Sequence, residues 1–422
     1  MKKKALVYSK KDSFWKSCVT ITENILSTYK MAFHSQDLIE IDLNDEMEPK
    51  QIYEQAKDLF SKGPDQIVFV DHHPHPWEFI KHLDRLYQGK IPPIYFHLYG
   101  DFVCLSNYYY KIKDILERTP TTFFVASSKH ARLINKFLET KNNTLIHPFP
   151  VNEQLFFYDA KMREEARKEY NLLSTDKVFL YTGRITYQKN VISFLKSFVK
   201  YLHFNPHAKF LLAGNFHDMG IPYIGKYQET GTTFYSWEQA LYFLPREFKD
   251  RVSYIGDLTQ EELQRIYCAS DVFVSLSTFN DEDFGMSPAE ALCCGLPSIL
   301  TDWGGYSDYC NISDQYTSRV KVEMGHDEIS FDKNELMKIL LKDSFSFVRK
   351  DISRSYLDIY SRESVSKNLI KCFDHIPATP RFNEQKFRSI SEAFENHFDS
   401  PFKAKGGGFN QSYFELYSSY AN

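Results

Sequence analysis

The chain has 422 residues, more than one ordinary core accommodates, and its 43% hydrophobic share is that of a globular protein, so two α/β-sized domains are expected. A formal charge of −4 argues against a general nucleic-acid binder, and no apolar run approaches the ~18 residues of a membrane span. Seven scattered cysteines without a CxxC pair argue against a disulfide frame or zinc site and read as reduced thiols of a cytosolic protein.

Met1-Lys2-Lys3-Lys4-Ala5 runs into a strand without the apolar region of a signal peptide, so a cytoplasmic location is expected. Peripheral contact at the inner face of a membrane needs only a surface patch. Lys2–Lys4 would offer one to anionic lipid, although three terminal lysines are ordinarily a solvated end. Short apolar runs then predict strands at Ala5–Ser9, Leu38–Leu43, Gln66–Asp71, Pro93–Tyr99, Thr122–Ser127 and Thr144–Phe149, with helical patterns at Gln51–Ser61, Trp77–Tyr87 and Lys129–Leu138. Strand and helix in alternation is the pattern of a parallel sheet covered on both faces. The two prolines of His147-Pro148-Phe149-Pro150-Val151-Asn152 mark the end of a first domain, 1–150.

A helix over Lys161–Tyr170 leads into a second domain, 151–376, where the alternation resumes. Strands are predicted at Val178–Thr182, Lys209–Ala213, Val252–Gly256, Asp271–Ser277 and Pro297–Thr301. Helices fit Val191–Leu202, Gln260–Cys268, Pro288–Cys294 and the region after Lys333. The segment Asn215–Leu241 shows no clear period and reads as a functional loop or insertion. Residues 377–422, broken by Pro377, Pro380 and Gly406-Gly407-Gly408 around a helical pattern at Glu384–His397, read as an extension packing across the domains.

Chemistry concentrates in two segments. In the first, Glu282-Asp283-Phe284-Gly285-Met286-Ser287-Pro288-Ala289-Glu290, a strand is followed by a glycine and a helix start, with Ser287 as expected N-cap and Pro288 as first helical residue. Free N–H groups at a strand's carboxyl end are a natural diphosphate seat. Glu282 on the loop and Glu290 in the helix's first turn carry carboxylates suited to sugar and ribose hydroxyls. Gly295 and Pro297 end the helix. The second segment, Tyr181-Thr182-Gly183-Arg184-Ile185-Thr186-Tyr187-Gln188-Lys189-Asn190, also links a strand to a helix and supplies a guanidinium fork and an ammonium charge. Fixed cations there would stabilise a departing nucleoside diphosphate.

Together these segments resemble the retaining glycosyltransferases of the GT-B fold in the family-4-type group (glycosyltransferase group 1), with its Gly-Arg…Lys loop and its E-x7-E motif around Phe-Gly. The likeness runs from about residue 178 to 310, through Thr301-Asp302-Trp303-Gly304-Gly305. It continues more weakly upstream through Pro150-Val151-Asn152 and Phe96-His97-Leu98-Tyr99-Gly100. It implies two Rossmann-like domains with a deep interdomain cleft that closes to exclude water, and a C-terminal helical extension. By the same resemblance Arg184 and Lys189 bind the diphosphate, Glu290 the ribose and Glu282 the donor sugar. Gly183 and the backbone of Phe284, Gly285, Met286 and Ser287 line the donor, and His97, at the edge of the first sheet, faces its sugar. The resemblance further implies a nucleotide-diphosphate hexose as donor and no metal. Its usual acceptor is a glycan, lipid-linked or glycolipid hydroxyl in polysaccharide assembly. Same-face attack would pass the acceptor's proton to the leaving phosphate.

One departure stands out. Many relatives carry a Gly-Gly loop after the first strand, where this chain reads Ser9-Lys10-Lys11-Asp12-Ser13-Phe14, so the N-terminal phosphate contact and the acceptor side do not carry over, and Lys10 or Lys11 is the candidate electrostatic substitute. Asp71-His72-His73-Pro74-His75 offers metal-ligand types, but Pro74 stiffens it and no second cluster completes a set; it reads as a strand-end loop bordering the cleft. Trp303-Gly304-Gly305 reads as a tight turn near the nucleotide, and Cys293 and Cys294 as packing residues. The rival readings are a nucleotide-sugar isomerase of the same fold and a nucleotide-sugar-binding module without transfer activity.

Overall fold

A computed structural model describes residues 2–9, 16–44, 46–70, 76–99, 102–218, 230–280, 282–326, 329–342, 344–374, 377–396 and 410–421. The chain forms two compact units, Met1–Pro150 with Ser361–Phe398, and Val151–Tyr360 with Asp399–Asn422.

In the first unit the apolar runs form β1 (Lys4–Tyr8), β2 (Leu38–Asp42), β3 (Gln66–Val70), β4 (Ile94–Leu98), β5 (Thr121–Val125) and β6 (Thr144–Ile146), all parallel, in the order β2-β1-β3-β4-β5-β6. Every residue of β1, β3, β4 and β5 is buried, because helices cover both faces of the sheet.

In the second unit β7 (Lys177–Thr182), β8 (Ala208–Ala213), β9 (Val252–Gly256), β10 (Val272–Ser275), β11 (Ser298–Thr301) and β12 (Thr317–Val320) are likewise parallel, in the order β12-β11-β10-β7-β8-β9. The core gathers around Phe179, Phe198, Tyr201, Phe210 and Trp237. The expected irregular segment contains a helix, Thr232–Tyr242. It buries only Thr233 and Trp237, and Asp218 holds its start by accepting from the Gly231 and Thr233 amides at 2.5 and 2.9 Å.

The expected second boundary, at 376, falls elsewhere. The helix Arg362–Cys372 lies on the first unit against the helix Lys16–Ala32. Phe373 follows it into a cluster with Tyr29, Phe33 and Tyr95, centroids 6.1, 5.6 and 4.6 Å away. The helix Glu384–Asn396 also packs on the first unit through Phe387 against Phe102 and Phe137, whereas the last helix, Gln411–Ala421, belongs to the second. No helix among the described residues is long and apolar enough to cross a membrane.

Candidate functional site

The strand order of the second unit fixes where a ligand can sit. From β7 the chain builds outward through β8 and β9, then crosses back to start β10, β11 and β12 on the other side of β7. The gap beyond the carboxyl ends of β7 and β10 is therefore the topological switch point, the usual binding crevice of an open parallel sheet. The turn Gly183–Lys189 follows β7 there, and the segment carrying Glu282 follows β10.

The two elements meet. Lys189 Nζ forms an ion pair with a Glu282 carboxylate oxygen, both side chains being largely buried at 13% and 6% exposure. Arg184 Cζ and Lys189 Nζ lie 5.5 and 5.3 Å from the centre of one ring, that of Phe279. A Cβ on Gly183 would stand 3.6 Å from Ser287 Oγ, so the cationic turn abuts the helix start directly. Asn190, left-handed at φ 57°, ties the turn to the other strand's exit by donating to Leu276 O at 2.8 Å and Thr278 Oγ1 at 3.1 Å. The Tyr181 hydroxyl donates to Arg184 O at 2.7 Å. Burial, then the charge of Glu282, pushes that phenol's ionisation upward.

The helix spans Met286–Cys293, and its N-cap is Gly285 at φ 86°, not Ser287. Only glycine fits: a Cβ would come within 2.3 Å of the Tyr306 ring. Ser287 and Pro288 thereby become the second and third helical residues, and Glu290 falls in the second turn, not the first. At the far end Gly295 and Leu296 donate to Leu292 O and Ala291 O, both at 2.9 Å, a Schellman closure around Gly295 at φ 72°. Cys293 and Cys294 are fully buried packing residues.

Glu290 is buried, and the Tyr267 hydroxyl lies 3.3 Å from its Oε2. Tyr267 in turn shares a 2.6 Å hydrogen bond with Thr182 Oγ1 at the end of β7. Burial pushes the Glu290 carboxyl up to about 8, with the Tyr267 bond pulling the other way. A neutral carboxyl can both donate and accept, which suits vicinal hydroxyls.

His97 departs from expectation. β4 is an interior strand, paired with β3 and β5, and the His97 side chain points inward, 2% exposed. Its Nε2 is 2.9 Å from the Tyr29 hydroxyl, and its ring packs on Phe124 and His147 at 4.7 and 5.1 Å. Burial, then His147, holds it well below the ordinary histidine range. A sealed core histidine cannot face a sugar. Lys10, Lys11 and the 71–75 cluster lie outside the described residues, as do Gly100 and the three glycines 406–408.

Phe279, Tyr267 and Tyr306 join the site unforeseen, and Asn190, the last residue of the cationic segment, gains a role that the sequence reading did not give it. Asn190 alone carried a sequence signal, an αL-tolerant residue immediately before an apolar-periodic helix. The aromatic residues are indistinguishable from core until the strands are ordered.

Residues 162–316, which contain this constellation, match the family model of the glycosyl transferases group 1. The chain has the GT-B fold: it superposes on Anabaena HepE, solved in complex with UDP and glucose, with a TM-score of 0.61 at 11% identity, covering 88% of this chain and 99% of that one. It is 25% identical over 194 residues to spore coat protein SA of Bacillus subtilis, 46% of each chain. It is 29% identical over 168 residues to mannosylfructose-phosphate synthase of Agrobacterium fabrum, 40% of this chain and 34% of the relative. The aligned parts thus span less than half the length of these curated relatives.

Proposed function

We propose that the chain is a retaining glycosyltransferase that moves a hexose from a nucleotide-diphosphate sugar to a hydroxyl of a glycan, lipid-linked or glycolipid acceptor. The observation that carries this reading is the meeting of Arg184, Lys189 and Glu282 around Phe279 at the switch point, beside the start of the Met286–Cys293 helix. The bond from the anomeric carbon to the leaving phosphate oxygen breaks as the acceptor oxygen bonds on the same face. The acceptor's proton passes to that phosphate oxygen. Arg184 and Lys189 hold the growing negative charge in a partly buried setting, where fixed cations need no reorganisation. The helix start, with its first amides lacking intrahelical partners, adds a partial positive charge. Glu282 receives donor-sugar hydroxyls and Glu290 the ribose. These protein cations make the reaction metal-independent. The UDP and glucose held by HepE support a nucleotide-sugar donor.

Incubation with UDP-, GDP-, ADP- and CMP-sugars tests the reading. Slow donor hydrolysis or transfer supports it, whereas an epimerised nucleotide sugar, or binding without turnover, overturns it.

A further inference from the structure

The last helix, Gln411–Ala421, lies far outside the segment that matches the glycosyl transferase family, residues 162–316. Its Tyr413, Tyr417 and Tyr420 recur at helical spacing and are all buried in the second unit. That much aromatic burial on an eleven-residue helix would serve simply to attach it. Its polar contacts are more pointed, because they fall on the segment that presents Glu282.

The Tyr413 hydroxyl and Asn280 Oδ1 are 2.9 Å apart in a buried hydrogen bond, two residues before Glu282. The Gly304 amide donates to Tyr420 O at 3.1 Å, and the Gly305 amide beside it donates to Glu282 O at 2.7 Å. The Tyr420 ring meets Trp303 edge-on at 5.6 Å, and Trp303 Nε1 donates to Phe279 O at 2.7 Å. A Cβ on Gly304 would lie 2.1 Å from Glu282 O and 3.1 Å from Tyr420, so helix, turn and acidic segment leave no slack between them. The helix thus reaches both sides of Glu282: the Asn280 side chain directly, and the Glu282 carbonyl through the 303–305 turn.

We propose that this helix is a working part of the donor site, with Tyr413 and Tyr420 as positioning residues that set where the Glu282 carboxylate stands. This rests on the reading that Glu282 binds the donor's sugar while Arg184 and Lys189 bind its diphosphate. Disturbing the helix then costs recognition of the sugar and spares recognition of the nucleotide. A helix that only adds stability would lower both together, through the folded fraction.

The test compares the full chain with Tyr413→Phe, which deletes one hydroxyl, and Tyr420→Ala, which empties the contact on Trp303. Affinities for UDP and UDP-glucose, or for the base and sugar the wild type prefers, are measured by calorimetry beside the thermal midpoint. In Tyr413→Phe, UDP affinity stays within about twofold while UDP-glucose affinity and turnover fall about three- to tenfold, the range for one lost buried hydrogen bond. Tyr420→Ala shows the same split more strongly. Equal losses for nucleotide and nucleotide sugar, or wild-type values for both in Tyr413→Phe, overturn the positioning role. A wild-type chain that binds no nucleoside diphosphate overturns the donor-site reading itself, and this inference with it.

Discussion

Lys189 and Glu282, ninety-three residues apart in sequence, neutralise each other at the carboxyl ends of two adjacent strands. The cation proposed for the diphosphate and the carboxylate proposed for the sugar are thus each other's partner. Both side chains are largely buried, so removing one leaves the other charge without compensation. Lys189→Met or Glu282→Gln alone is expected to destabilise the second unit by about 2–4 kcal/mol. The double variant should lose clearly less than the sum. Denaturant unfolding of the three variants checks this, and simple additivity would show that the pair is not coupled.

Arg184 shares the Phe279 ring with Lys189, but its planar fork can engage two phosphate oxygens at once. Arg184→Lys keeps the charge and loses the fork. Turnover should fall about tenfold or more, with unfolding free energy changed by less than about 1 kcal/mol. Steady-state rates with the preferred donor decide it, and an unchanged kcat would remove Arg184 from leaving-group stabilisation.

Much of this arrangement was legible beforehand, and the illegible parts share a cause. Strands β3 to β5 announce themselves as apolar runs, and Glu282 and Glu290 keep the spacing of a recognisable motif. His97 sits in Ile94–Leu98, which is buried on both faces, so alternation carries no information about which way its ring points. The cap at Gly285 is decided by the Tyr306 ring, a contact across twenty-one residues that no local rule for Ser287 and Pro288 can anticipate. The return of Arg362–Cys372 to the first unit follows from Phe373 finding Tyr29 and Tyr95, and a helix stripe of Val365 and Leu369 looks the same on either unit.

If two side-chain cations and a helix start supply the positive charge at the diphosphate, a divalent ion is not needed. Exhaustive dialysis against EDTA should leave turnover with the preferred donor within about twofold. A loss restored by added magnesium or manganese would place a metal in the mechanism and demote Arg184 and Lys189.

Glu290 makes the second unit sensitive to rising pH. Burial holds its carboxyl at about 8, whereas the unfolded chain releases that proton near 4.5. Between these values the folded form binds more protons than the unfolded one, so stability falls as pH rises through the window. Glu290→Gln removes that penalty. Its stability advantage over wild type should be negligible near pH 4.5 and on the order of 1–3 kcal/mol by pH 7. An amide, like the neutral carboxyl, both donates and accepts, so donor affinity should change little in the same variant. Denaturant midpoints at pH 5, 6 and 7 test the slope, and a pH-independent difference would mean that Glu290 is ionised in the folded chain.

The first unit carries the opposite sign. Burial depresses His147 to about 4 and His130 to about 3, and holds His97 well below 6.5. In the unfolded chain each takes up a proton as pH falls through its ordinary value of 6.5; in the folded chain none does until the pH is far lower. The unfolded form therefore binds more protons below 6.5. Stability is complete above that pH and is lost as pH falls toward 4, by up to ~1.4 kcal/mol per pH unit for each histidine. His147 packs among His97 and Phe124, so His147→Phe keeps an aromatic ring there while deleting one titration. Acid unfolding followed from pH 7 to 4 should show this variant losing stability less steeply than wild type, by about one proton. Equal slopes would mean that His147 reaches solvent and titrates normally, and the sealed core around β4 would have to be redrawn.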